Sequence, residues 1–188
     1  LHIKESLTLT TVQVVVLLGA ILAVVATYYK KLFNIRMLTK LAVAFIPTGL
    51  VGLLVFPYIK HLLGNPLLVA YMLIVGGLII LLVERRYERQ TNNGEIIEIF
   101  EVSYKNALLL GLFQTLAIIP GVSRSGAVII GGLLIRLSRK LLTEFAFLLA
   151  VPTMIVATAY TVLKKHDELS LDSLSPIIIG TVVSFIVA

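Results

Sequence analysis

The residues best suited to chemistry in this chain sit together in one short stretch, Pro120-Gly121-Val122-Ser123-Arg124-Ser125-Gly126, between two apolar runs, Ala107 to Ile119 and Ala127 to Ile135. Pro120 removes a backbone donor and Gly121 tolerates a positive φ, so a helix formed by the first run is expected to stop there. Ser123 or Ser125 can cap a second helix that begins near Ser125. The first turn of such a helix offers unpaired N–H groups and the positive end of its dipole, which suits an anion. Arg124 adds a planar fork that matches the oxygens of a phosphate. The two serine hydroxyls add donors, and Gly121 and Gly126 let the backbone come close to a ligand. The combination suits a phosphate. A blander reading has Arg124 bonded to helix-end carbonyls or snorkelling to an interface; its flanking serines and glycines weigh against that.

A clamp of this kind is not a complete catalyst. The ten acidic residues (Glu5, Glu84, Glu88, Glu95, Glu98, Glu101, Glu144, Asp167, Glu168 and Asp172) and the three histidines (His2, His61 and His166) all lie outside the apolar spans. Neither a general base nor a metal ligand therefore accompanies Arg124. Either the protein only binds an anion, or a missing part of the chain brings the acids.

The elements that must position this turn follow from composition. The 188 residues are 59% hydrophobic and 14% charged, contain no cysteine and have a mean hydropathy of +1.03. Soluble domains run at roughly 45–50% apolar and about 25% charged residues, so the excess apolar surface must face lipid. Disorder, a disulfide scaffold and a thiolate metal site are excluded. Apolar spans are expected at about 12–29, 41–59, 67–83 and 145–163, within one transmembrane domain. A last run, 176–188, is short of a crossing and reads as a helix cut within its span. The fold class expected is an all-α integral membrane protein, a polytopic helix bundle.

The net charge of +6 and the pI near 9.7 reflect cations placed between the spans. If the first span runs outside to inside, Lys30, Lys31, Arg36, Lys40, Arg85, Arg86, Arg89, Lys105, Arg136, Arg139 and Lys140 collect on the cytoplasmic side. Lys4, Lys60, Lys164 and Lys165 fall outside, and Arg124 is left over within an apolar region. The positive-inside rule is met. Segment 107–135 fits this topology as a re-entrant helix hairpin, two short arms meeting at a polar turn, tolerated at membrane depth only when buried in protein or lining a cavity. A single proline-kinked crossing gives nearly the same charge split; the Pro-Gly pair and the short arms favour the hairpin.

The stretch Gln114 to Pro152, with Gln114-Thr115-Leu116-Ala117-Ile118-Ile119 leading into the Pro-Gly-x-Ser-Arg-Ser-Gly motif, then Gly131-Gly132, Arg139 and Phe145 to Pro152, closely resembles the undecaprenyl-diphosphatase family of bacitracin-resistance type. Leu18 to Val25 resembles its early helix. The resemblance implies an integral enzyme of the bacterial cell membrane that hydrolyses undecaprenyl diphosphate to the monophosphate and inorganic phosphate. It also implies an inverted-repeat fold in which two re-entrant hairpins meet. Carried over residue by residue, the motif assigns catalytic roles to Ser123, Arg124 and Ser125, with Gly121, Gly126 and, more weakly, Gln114 at the substrate. An acidic N-terminal motif, which would supply acid–base chemistry and the ligands of a divalent cation (magnesium or calcium), is expected to precede this chain. The implied partners are the polyprenyl diphosphate, membrane lipids and a second copy of the chain, and no nucleic acid. Val128, Arg136, Ala146 and Gln13 depart from the family pattern, which usually has Thr, a small residue, Ser and Glu there.

Two other classes share these features. Discontinuous helices with their positive ends at an anion are also transporter architecture, which makes a carrier or flippase of a lipid phosphate or small anion the alternative. A scaffold with a degenerate site is the third. Gly76-Gly77 and Gly131-Gly132 are expected to allow close helix packing rather than ligand contact. Glu84 to Asn106, with a turn at Asn93-Gly94, is expected to be a solvated, amphipathic connector, and Lys164 to Glu168 an outer loop.

Overall fold

A computed structural model describes residues 7–59, 65–88, 98–164 and 174–188. Among these the chain is helical with no strand: α1 (Leu7–Leu32), α2 (Ile35–Ile59), α3 (Pro66–Glu88), α4 (Tyr104–Gln114), α5 (Arg124–Leu134), α6 (Arg139–Lys164) and α7 (Leu174–Val187). Three of them, over Ile35–Val55, Pro66–Tyr87 and Arg139–Tyr160, are long and apolar enough to cross a membrane. Helices α1, α2 and α6 begin several residues before the expected apolar spans, and α3 ends several residues beyond its own. The Asn93-Gly94 turn and the loop after Lys164 lie outside the described residues.

Two compact units are present, residues 1–33 with 150–188, and residues 34–149. In the first, α1 packs on α7: Gly19 lies directly against the carbonyl of Thr181, and Gly180 against Val16. Small residues at both contacts let the backbones approach, which is how helices associate where lipid removes the hydrophobic drive.

The second unit holds the turn. Asn34 caps α2 through a bond from the Arg36 N–H (3.0 Å), and Asn65 caps α3 through bonds from Leu67 and Leu68 (3.1 and 3.2 Å). Helix α4 lies on α2, with Gly111 against the backbone of Ala44 and Thr48 Oγ1 donating to the Gly111 carbonyl (3.2 Å). Phe145, Leu142, Leu148 and Leu149 of α6 are fully buried with Leu110 of α4 and Val128 of α5. Lys40, counted from sequence among the cytoplasmic cations, is buried and donates to the Phe100 carbonyl (2.8 Å), tying the 3-10 turn Ile99–Glu101 to α2.

Candidate functional site

The polar turn is built by local rules. Helix α4 is capped by Ser103, whose hydroxyl accepts from the Asn106 N–H (3.1 Å), and ends at Gln114. The chain then tightens into a 3-10 turn, Thr115–Ile118. The α-helical part of the first arm thus stops well before Pro120. Gly121 adopts φ +91°, a conformation open to glycine and strained for other residues. Ser123 is the cap of α5, which begins at Arg124: its Oγ accepts from the Gly126 N–H at 3.2 Å and lies 3.4 Å from Ser125 Oγ. Of the two serines that could cap, the structure uses Ser123, leaving the Ser125 hydroxyl free of that duty.

The two arms return against each other. Gly131 of α5 sits directly on the ring of Phe113 in α4, and Gly132 on Leu142 of α6, so this pair does serve close packing. Gly76-Gly77 does not. Among the described residues, a Cβ at either position would meet no atom within 4 Å.

Helix α3 gauges the position of the turn. A Cβ on Gly121 would lie 2.6 Å from the Val69 carbonyl oxygen and 3.0 Å from Met72 Cβ; one on Gly126 would lie 3.6 Å from Ile80 Cδ1. Val69 and Ile80 bracket the middle of Pro66–Glu88 and stand about 16 Å apart at 1.5 Å per residue. Ser123, Arg124 and Ser125 therefore lie beside the middle stretch of α3. Beyond α5, Arg139 at the start of α6 forms an ion pair with Glu84 of α3.

Ser123 and Ser125 are exposed and Arg124 is half-buried. Among the described residues the Arg124 guanidinium has no hydrogen-bond or ion-pair partner, so no helix-end carbonyl consumes its donors. An uncompensated cation, the unpaired N–H groups at the start of a helix and two hydroxyls make a cradle for an anion. Gln114 stands apart from them. It is fully buried, and its Nε2 donates to Thr48 Oγ1 (3.0 Å), which continues to the Gly111 carbonyl; the amide ties α4 to α2 beneath the turn. Val128 and Ala146, two of the departures noted above, are buried in the packing rather than at the exposed turn.

The bacitracin resistance protein BacA family matches this chain over residues 1–188. The chain belongs to that family. Relatives named undecaprenyl-diphosphatase include one from Sulfurihydrogenibium sp. (strain YO3AOP1), 46% identical over 94% of this chain and 69% of its own length. One from Wolinella succinogenes is 44% identical over 100% of this chain and 73% of its own. One from Flavobacterium johnsoniae is 48% identical over 93% and 66%. As a BacA-family chain with several membrane-crossing helices, it is a multi-pass protein of the bacterial cell membrane.

Sequence reasoning missed the Thr48–Gln114 tie, the Glu84–Arg139 pair and the left-handed conformation of Arg136 (φ 64°). The first two had a signal: lone polar groups inside an apolar run, and opposite charges at run ends. The third had none in the residue type, since arginine does not announce a positive φ.

Proposed function

We propose that this chain carries the phosphate-binding part of an undecaprenyl-diphosphate phosphatase, which hydrolyses the lipid diphosphate to undecaprenyl phosphate and inorganic phosphate and so returns the carrier to cell-wall synthesis. The observation that carries this reading is Arg124, without a hydrogen-bond or ion-pair partner among the described residues, at the capped start of α5, beside the middle of a membrane-length helix, in a BacA-family chain. Arg124 and the N–H groups of the first turn hold the non-bridging oxygens and stabilise the charge that develops as the P–O bond breaks. Ser123 and Ser125 hold phosphate oxygens and orient the diphosphate. Hydrocarbon surfaces beside the turn take the polyprenyl tail.

The two arms of 107–135 pack on each other and their turn stands beside mid-α3, which supports a re-entrant hairpin that enters and leaves on one side. The turn offers hydroxyls and a cation, and the described residues hold no group of three or more His, Asp or Glu side chains. They do not fit a divalent cation, whose ligands, with the general base, would come from other parts of the whole protein. No step here depends on one. The relatives are named as diphosphatases, which favours hydrolysis over carriage. Full-length protein in liposomes loaded with undecaprenyl diphosphate tests it: phosphate released without movement of intact substrate across the bilayer is expected, and movement without release would overturn the reading.

A further inference from the structure

Helix α2 meets the first arm of the hairpin along one stripe. Lys40, Ala44 and Thr48 are four residues apart in sequence and share a face of the helix. Lys40 donates to the Phe100 carbonyl ahead of α4, Ala44 lies against Gly111, and Thr48 meets Gly111 and Gln114 where α4 ends. The lower end carries a second tie, the hydroxyls of Thr39 and Tyr104 at 2.9 Å. The two helices therefore run side by side in one direction, and of these rungs Thr48 is the nearest to the phosphate turn.

At that rung the helix changes type. Thr48 Oγ1 donates to the Gly111 carbonyl at 3.2 Å and accepts from Gln114 Nε2 at 3.0 Å. The Gly111 carbonyl is also the α-type acceptor for the Thr115 N–H, which it shares with the carbonyls of Leu112 and Phe113. A donor from outside the helix weakens the α-type bond to that oxygen, and directly afterwards the chain takes the 3-10 geometry of Thr115–Ile118. The change alters reach and direction. A 3-10 helix rises about 2.0 Å per residue against about 1.5 Å and turns about 120° against about 100°, so these residues end roughly 2 Å further along and 80° further round than an α-helix would. Pro120 and Gly121 follow at once, and the offset passes to Ser123, Arg124 and Ser125.

We propose that Thr48 is a positioning residue for the phosphate clamp: its hydroxyl turns the end of α4 from α to 3-10 geometry and so sets where Arg124 stands. The inference rests on the phosphatase reading above. Thr48 acts through Gly111 and Gln114, and the role needs a hydroxyl because one oxygen has to donate to the first and accept from the second. Valine has a similar shape and does neither. A misplacement of about 1 Å can cost on the order of 100-fold in rate even when its source is remote from the chemistry, so an offset of this size is one that catalysis reads.

The test uses full-length protein in detergent with undecaprenyl diphosphate as substrate, each variant assayed well below its own melting temperature and normalised to folded protein. Thr48→Val is expected to lower kcat by about tenfold or more, with KM changed far less, because the displaced groups serve charge that develops in the transition state. Thr48→Ser keeps both hydrogen bonds and is expected to keep most of the parent's kcat. Tyr104→Phe removes the tie at the other end of α4 and is expected to leave kcat at the parent's value, whatever it does to the melting temperature. Parent-like kcat in folded Thr48→Val would overturn the proposal. So would an equal loss in Thr48→Ser, or an equal loss in Tyr104→Phe, because the effect would then be a general loosening of α4. Should Thr48→Val not accumulate folded, Thr48→Ala against Thr48→Ser makes the same comparison. A parent protein that releases no phosphate sinks the phosphatase reading itself; an active parent with an indifferent Thr48→Val sinks the positioning role alone.

Discussion

Ser123 and Ser125 differ in what they give the fold, although both carry a hydroxyl at the same turn. Ser123 accepts the Gly126 N–H and fixes where α5 begins, so Ser123→Ala is expected to lower stability by about 1 kcal/mol as well as activity. Ser125→Ala is expected to leave the melting temperature unchanged and to slow phosphate release only. Parallel thermal melts and release assays separate the two. Gly121→Ala meets both a positive φ and the Val69 carbonyl, and is expected to cost at least about 1–2 kcal/mol, visible as a lower melting temperature. The turn was legible in the sequence because Pro, Gly, Ser and Arg act through local backbone rules. Gln114 was legible only in part: its identity stands out in an apolar run, but its partner, Thr48, is 66 positions away, and only folding pairs them.

Helix α5 ends in a six-residue cap in which Leu137 N–H bonds to the Gly132 carbonyl and Arg136 N–H to that of Leu133 (both 3.0 Å), with Arg136 left-handed. This position in such a cap is usually glycine. Arg136→Gly is therefore expected to stabilise the protein by roughly 0.5–1 kcal/mol, read as a higher melting temperature; a lower one would mean that the arginine side chain gives more than its backbone costs. The existence of both arms could be read from their apolar runs, and so could the break between them. Their ends could not be read to the residue. The α-helical part of the first arm stops at Gln114, where the chain changes to 3-10 geometry, while the apolar pattern runs on to Ile119. Apolar patterning records contact with lipid and core, which both helix types share.

At the scale of the whole molecule, composition alone placed the chain in a membrane, and three described helices meet that requirement. The hairpin's sidedness makes its own prediction. The chain contains no cysteine, so single cysteines at Lys105 and Lys140 report cleanly on their surroundings within it. Both are expected to react with a membrane-impermeant maleimide from the same, cytoplasmic side; labelling from opposite sides would mean that segment 107–135 crosses completely. What composition could not supply was the stripe of α3 that brings Val69, Met72 and Ile80 to the turn, because that is a property of packing between separate runs. The most direct test of the account is phosphate release by the full-length protein carrying Arg124→Ala. The folded variant is expected to lose activity by about 100-fold or more, the scale for removing a donor from developing charge, and near-normal release would contradict the clamp at the centre of the account.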